Sequence, residues 1–231
     1  IGNNHEGSFK VAKKMISRAA DAGVDAVKFQ TFITEQFVSI KDQSRFNKLK
    51  SFQLSYEQFK ELSIFAKKKS VIFFSTPLDI KSAKFLNTIQ PIFKISSGDN
   101  NFYPLIDVIA NFKKPIILST GISNYESIKK IYNRISKCWK IKKRSISNLA
   151  FLHCVSSYPA PYDQANLASI NFLIDKFPKV VIGYSDHTLG IDSALLSIAA
   201  GARIVEKHFT LDKNYSNFRD HKLSADPKEM S

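Results

Sequence analysis

Two stretches of this sequence carry a histidine just beyond a short apolar run. Residues 183–188 read Gly-Tyr-Ser-Asp-His-Thr after Val180-Val181-Ile182, and residues 206–210 read Glu-Lys-His-Phe-Thr after Ile204-Val205. With only five histidines in 231 residues, His187 and His208 at the ends of successive strand-like runs call for a chemical reading. Two imidazoles converging on one site suit a divalent transition metal whose remaining positions go to substrate oxygens or water; at this spacing a pair of acid–base or substrate-binding histidines is an equal alternative. Lys28 lies between Val27 and Phe29, and Lys94 between Phe93 and Ile95. A single lysine near a strand end is commonly a snorkelling surface group. Two ammonium groups inside apolar runs each need an anionic partner, because burying them unpaired is costly. Hydroxyls recur in equivalent places, at Thr76, Ser97, Ser119, Ser156 and Ser185. They suit anions and equally suit helix N-caps, two roles that coincide where a helix N-terminus faces an anion. His153 reads as a structural histidine, and His5 stays open between the two roles.

The elements that must position these groups follow from the apolar pattern. Strand candidates are Ala26–Phe29, Val71–Ser75, Ile92–Ile95, Ile116–Ser119, Leu149–His153, Val180–Tyr184 and Arg203–Glu206. Helical patterns fill the intervals: Ser8–Ala22, Tyr56–Lys68, Lys81–Leu86, Tyr103–Asn111, Tyr125–Ser136, Ala168–Lys176 and Ile191–Ala199. Continuous apolar strands in strict alternation with helices predict a parallel sheet with right-handed crossovers. Seven strands, with Ile1-Gly2 as the end of an eighth, predict one (β/α)8 TIM-barrel domain over residues 1–231, its chemistry at the C-terminal strand ends. A doubly wound open sheet is the alternative, but no Gly-rich dinucleotide fingerprint follows the first strand. Strand parity places Lys28 with Gln30 on one face, and Glu206 with His208 on one face, leaving Lys207 to the outside.

The formal charge of +14 raises nucleic acid as a partner. The lysines are scattered over helical outer faces, however, and the one basic-aromatic run, residues 137–144, reads as a solvated surface turn. The positive field fits a small anionic substrate instead. No apolar run approaches the roughly 18–20 residues that cross a bilayer, so no membrane partner is expected. Two cysteines, Cys138 and Cys154, make no disulfide framework and predict free thiols in a reducing cytoplasm.

Taken together, the stretches IGNNHEGSFKVAKKMISRAADAGVDAVKFQTF, FFSTPLD, FKISSGDNNFYPLI, ILSTGIS, LHCVSSYPAPY, GYSDHTLG, EKHFTLD and DHKLSADP resemble the sialic acid synthase family. That family includes the N-acetylneuraminate synthases and the related legionaminic, pseudaminic and spore-coat polysaccharide enzymes. The resemblance implies a barrel that condenses phosphoenolpyruvate with the open-chain aldehyde of an N-acetylated hexosamine, giving a nine-carbon 3-deoxy-2-keto acid and phosphate. It implies Lys28 and Lys94 as phosphoenolpyruvate-binding lysines, and Thr76, Ser97, Ser119 and Ser185 as phosphate- and carboxylate-binding hydroxyls. Ser156 stands where some members carry asparagine. Gln30, Tyr158 and Asp220 match sugar-contacting positions, and His187 and His208 match metal ligands, for manganese first, with magnesium and cobalt as alternatives. A homodimer is implied as well.

Three departures accompany the resemblance. The family's glutamate before the position of Ile1 and most of the first strand are not in the sequence, which is expected to be a truncated barrel. Asp99 replaces the family's catalytic glutamate and is one methylene shorter. The C-terminal antifreeze-like domain, whose arginine enters the partner subunit's site, is expected to be absent. Two competing readings are a class I aldolase with Lys28 or Lys94 as Schiff-base nucleophile and a non-catalytic phosphoenolpyruvate-binding remnant. N-acetylmannosamine and diacetamido-trideoxyhexoses remain equal candidates for the sugar.

Overall fold

The computed structural model describes all 231 residues. Seven strands follow one another through the chain: β1 (Ala26–Thr31), β2 (Ile72–Pro77), β3 (Phe93–Ile95), β4 (Ile116–Ser119), β5 (Leu149–His153), β6 (Val181–Asp186) and β7 (Val205–Lys207). Helices occupy the intervals: α1 (Phe9–Asp21), α2 (Thr34–Phe37), α3 (Gln43–Phe52), α4 (Tyr56–Lys68), α5 (Ile80–Leu86), α6 (Tyr103–Asn111), α7 (Tyr125–Ile141), α8 (Ala168–Lys176) and α9 (Asp192–Ala199), with α10 (Asp220–Leu223) and α11 (Pro227–Met230) after the last strand. Every expected strand is present within two residues of its expected ends. The short helices α2, α3, α10 and α11 are additions that the apolar pattern left as loops.

Local chemistry sets these boundaries. Ser8 caps α1, Asp79 caps α5 and Asn124 caps α7, each side chain accepting a first-turn backbone N–H. Ser55 and Gln58 form a reciprocal capping box on α4, which satisfies two donors the helix cannot bond internally. β5 is buried at all five positions, as a parallel strand covered on both faces must be.

All ladders are parallel, β1 with β2 and then β3-β4-β5-β6-β7 in chain order. At the junction between the two sheets a side chain replaces the missing ladder. Gln90 Oε1 accepts the Ser75 N–H at 2.7 Å, and its Nε2 donates to the Ser75 carbonyl at 3.3 Å. At the other junction Gly2 donates its N–H to the Lys28 carbonyl at 2.9 Å and bridges in parallel to Phe29. The sheet curls far enough for side chains of β1 and β7 to meet, as described below. One core of 23 buried residues fills the β3–β6 side, and a second of 14 packs α1 and α4 on β1 and β2. No helix is long and apolar enough to cross a membrane, and both cysteines are free thiols.

The 137–144 run departs from its expected surface turn. Helix α7 continues through it to Ile141, and Ile128, Ile131, Ile135 and Trp139 form one buried stripe, the three- and four-residue spacing of a helix face. Trp139 is 1% exposed and donates its indole N–H to the Ala110 carbonyl at 3.0 Å. The lysines of the run occupy the opposite face, so its basic-aromatic mixture is an ordinary amphipathic helix end. We expect Trp139→Ala to cost about 3–5 kcal/mol, read as a fall in the urea midpoint by far-ultraviolet dichroism; an unchanged midpoint would return the segment to the surface.

Candidate functional site

The centre of the site is a shared carboxylate. Glu206 on β7 receives the Lys28 ammonium from β1 at 3.7 Å and the Lys94 ammonium from β3 at 3.6 Å. Lys94 is 3% exposed and donates to Ser119 Oγ on β4 at 2.7 Å. Ser185 on β6 donates to Glu206 at 2.8 Å. Five strand ends thus contribute to one polar network. Burial alone would raise the Glu206 carboxyl, but Lys28 and Lys94, with Ser185, outweigh it and hold the group ionised, well below the usual carboxylate range. Burial acts oppositely on Lys94 and lowers its ammonium despite Glu206. Glu206 is the functional residue that sequence reasoning missed. Its parity with His208 was legible, and two lysines, Lys94 buried and Lys28 half-buried, called for an anion that this carboxylate supplies.

Beside this network His187 and His208 face each other, with ring centroids 5.6 Å apart. The Tyr158 ring packs on His187 at 4.3 Å and edge-on to His208 at 6.0 Å. His187 Nδ1 donates to the Val155 carbonyl at 2.7 Å, which leaves Nε2 with its lone pair. Burial lowers the pKa of both imidazoles, with His187 adding to the effect on His208. His208 Nδ1 lies 3.7 Å from Asp220 Oδ2, and Asp220 Oδ1 is buried without a hydrogen-bond partner. Burial raises the Asp220 carboxyl. Neutral imidazoles, one oriented by a backbone carbonyl, are the ligand form for a divalent cation. No three His, Cys, Asp or Glu side chains converge as a ready-made metal site, so an ion held by these two imidazoles would take its other ligands from outside such a set.

The remaining expected residues sit around this centre. Ser97 Oγ accepts the Gly121 N–H at 3.1 Å and lies 3.0 Å from Cys154 Sγ. A Cβ at Gly121 would stand 2.4 Å from Ser156 Oγ, so only glycine lets these hydroxyls approach. The hydroxyls of Ser156 and Thr76 are buried without partners. Gln30 accepts from Asn3 Nδ2 at 2.7 Å and lies opposite Thr76 in the β1–β2 register. Asp99 accepts a hydrogen bond from Ser96, and burial raises its carboxyl. Thr76, Ser97, Ser156, Asp99 and Gln30 make no hydrogen bond to the Lys28–Glu206–Lys94 network. His153 bonds the Ala165 carbonyl at 2.8 Å, a satisfied structural histidine.

Lys207 faces away from the interior as its parity requires, yet it does not reach solvent. It is 5% exposed, pairs with fully buried Asp186 at 2.7 Å and donates to the Thr188 carbonyl at 2.6 Å. Asp186 in turn accepts from Thr188 and Tyr184. Val205 on the same face is 40% exposed, so it is the Lys207 end of the outer face that is covered, and a lysine there needs a carboxylate of its own.

A curled, all-parallel α/β sheet with cations, hydroxyls and paired imidazoles at its strand ends is the framework of enzymes that handle anionic substrates at that face. Residues 15–231 match the family model described as the NeuB family, and the chain belongs to that family. It is 42% identical over 243 residues to the N,N'-diacetyllegionaminic acid synthase of Campylobacter jejuni, covering 99% of this chain and 71% of that one. It is 44% identical over 234 residues to an uncharacterized Methanocaldococcus jannaschii protein, covering 99% of this chain and 66% of that one. Among solved structures, the N-acetylneuraminic acid synthetase of Leptospira borgpetersenii, crystallised with citrate, superposes with a TM-score of 0.92 at 36% identity, over 99% of this chain and 77% of that one. The chain therefore spans roughly two thirds to three quarters of the length of these relatives.

Two stability predictions follow from the buried charges. Lys207→Met strands Asp186 as an unpaired buried carboxylate and should cost about 3–5 kcal/mol in equilibrium unfolding, with part recovered when Asp186→Asn is added; equal stability of Lys207→Met and the parent protein would refute the pairing. His5 is buried, accepts the Gly7 N–H at Nδ1 and leaves Nε2 unpartnered, and burial lowers its pKa from 6.5 to about 3. Between those values the unfolded chain takes up a proton that the folded one does not, so this contribution is complete above pH 6.5 and lost as pH falls. The stability difference between pH 7 and pH 4 should shrink in His5→Gln.

Proposed function

We propose that this chain is the catalytic barrel of a synthase that joins phosphoenolpyruvate to the aldehyde of an N-acetylated hexosamine of the N-acetylmannosamine type. The products are a sialic acid-type 2-keto-3-deoxy acid and phosphate. The observation that carries the reading is the Lys28–Glu206–Lys94 network beside the His187–His208 pair, in a chain of the NeuB family. The finer fold belongs to the same reading: a closed (β/α)8 barrel, supported by the Gly2–Phe29 bridge and by the Lys28–Glu206 contact between β1 and β7.

Phosphoenolpyruvate carries about three negative charges near neutrality, and lysines, hydroxyls and helix N-termini bind such groups. Lys28 and Lys94 hold the anion, and Glu206 keeps the two ammoniums in register. Ser119 and Ser185, already bonded to that network, turn their hydroxyls toward the same site. C3 of the enolpyruvate attacks the aldehyde carbon, and the C=O electron pair moves to oxygen. A divalent cation held by His187 and His208, manganese first, would supply Lewis-acid stabilisation there. Positive charge develops at C2, water adds, and phosphate leaves with cleavage of its C–O bond. Asp99, whose carboxyl is raised by burial, accepts the proton from that water. Gln30, Tyr158 and Asp220 orient the sugar. Because Lys94 is buried and its ammonium destabilised, a Schiff-base aldolase is the reading to test against.

The test is inorganic phosphate release by the full-length protein, given phosphoenolpyruvate and a panel of N-acetylated hexosamines, with manganese added or chelated. Release should require both substrates, fall on chelation and vanish in His187→Ala and His208→Ala. A pyruvate adduct trapped on Lys94 by borohydride, without phosphate release, would replace this reading with the aldolase.

A further inference from the structure

Asp220 sits on a helix too short to hold itself. Helix α10 has four residues and no side-chain cap, and an isolated helix of that length is unstable. Its support comes from the opposite end of the chain. Asn4 Nδ2 donates at 2.9 Å both to the Phe209 carbonyl, next to His208, and to Ser224 Oγ, which donates to the Asp220 carbonyl at 2.6 Å. Two residues on, Glu6 lies 2.8 Å from Nε2 of His221, whose ring is 1% exposed. Thr210 Oγ1 lies 2.7 Å from His221 Nδ1 and gives its single hydrogen to the Asp212 carbonyl at 2.9 Å. The Glu6 carboxylate accepts from Nε2, and Thr210 Oγ1 is the partner of Nδ1, so both ring nitrogens are held by hydrogen bonds. Ser216 adds a further hydrogen bond to the same Glu6 oxygen. Glu6 adopts φ +44°, a left-handed backbone that a non-glycine residue keeps only where its surroundings fix it.

We propose that Glu6 and His221 are positioning residues that lock α10 so that the Asp220 carboxylate faces His208 and the acceptor side of the pocket. The pair joins the first loop, the turn after β7 and the helix of Asp220 in one bridge that makes no hydrogen bond to Lys28 or Lys94. Its loss should loosen the sugar side and leave the phosphoenolpyruvate side intact. This inference rests on the reading of Asp220 as an acceptor-sugar contact, but the bridge itself has an independent signature.

Two measurements on the full-length protein test it. In long-range proton–nitrogen correlation spectra of ¹⁵N-histidine-labelled protein, Nε2 of His221 should carry hydrogen, and Glu6→Ala should release that preference. A His221 without hydrogen on Nε2 in the parent protein would overturn the bridge whatever the enzyme does. In steady-state phosphate release, Glu6→Ala should raise KM for the aminosugar on the order of ten-fold with KM for phosphoenolpyruvate unchanged, and Glu6→Gln, which keeps an acceptor, should recover most of the loss. Equal effects on both substrates, or no recovery in Glu6→Gln, would overturn the positioning role. Absence of any phosphoenolpyruvate-dependent turnover in the parent protein would sink the functional reading while leaving the spectroscopic test of the bridge in force.

Discussion

One carboxylate shared by two ammonium groups is the interaction on which the remainder of this structure depends. Lys28 and Lys94 come from strands that are not neighbours in the sheet, and Glu206 comes from the last strand. Without Glu206, buried Lys94 and half-buried Lys28 would be left without an anion and mutually repelling, a costly state. The pairing is possible only if β1 and β7 curl toward each other. The charge cluster and the closure of the sheet therefore require one another: the fold brings the three side chains together, and their attraction opposes opening along the β1–β7 seam. One net positive charge remains in the cluster, which makes an arriving anion a further stabilising partner.

The strand register extends this arrangement to the outer face. β6 and β7 pair Ser185 with Glu206 and Asp186 with Lys207, and successive side chains point to opposite faces. The first pair is the inward hydrogen bond of the charge cluster, and the second is an outward buried ion pair. His187 and His208 come one position later on the inward face, so a single register fixes the serine–glutamate contact, the ion pair behind it and the approach of the two imidazoles. A slip of one residue would exchange the faces. It would turn the lysine of the outer pair in toward Lys28 and Lys94 and turn both histidines away. The Asp186–Lys207 pair penalises that slip, because neither charge has another partner on the far side.

The sequence carries this information unevenly. Strand positions were legible because continuous apolar runs such as Leu149–His153 can only be buried strands or helix cores, and their length excludes helices. Lys28, Lys94, His187 and His208 were legible as a set because strand parity turns spacing into direction. Glu206 escaped the list of site residues because a carboxylate beside a lysine and a histidine reads first as a surface charge, and its partners lie 112 and 178 positions earlier in the chain. Trp139 was read as surface because its lysine neighbours masked a four-residue apolar spacing that extends well past Ser136. Helix α10 was hidden for another reason: its stability is entirely tertiary. No local propensity marks Asp220–Leu223 as helical, and Asn4, over two hundred residues away, supplies the bridge that holds it.

The site divides accordingly into two sides with different mechanical support. Lys28, Lys94, Ser119, Ser185 and Glu206 sit on strands whose backbones are fixed by continuous parallel ladders, and precision there follows from the sheet itself. Asp220 stands instead on a short helix, and Tyr158 on a loop after β5, so their placement depends on side-chain contacts: the Glu6–His221 bridge for one, and the ring packing on His187 for the other. Rigid placement suits a charge pattern that must be met in one fixed geometry. Placement by side chains suits the partner that can vary among related enzymes, because a change in loop residues alters it without disturbing a ladder. On this argument the Asp220 and Tyr158 side is the one that can vary with its loops, while the charge cluster at the centre has little freedom to change without opening the β1–β7 seam.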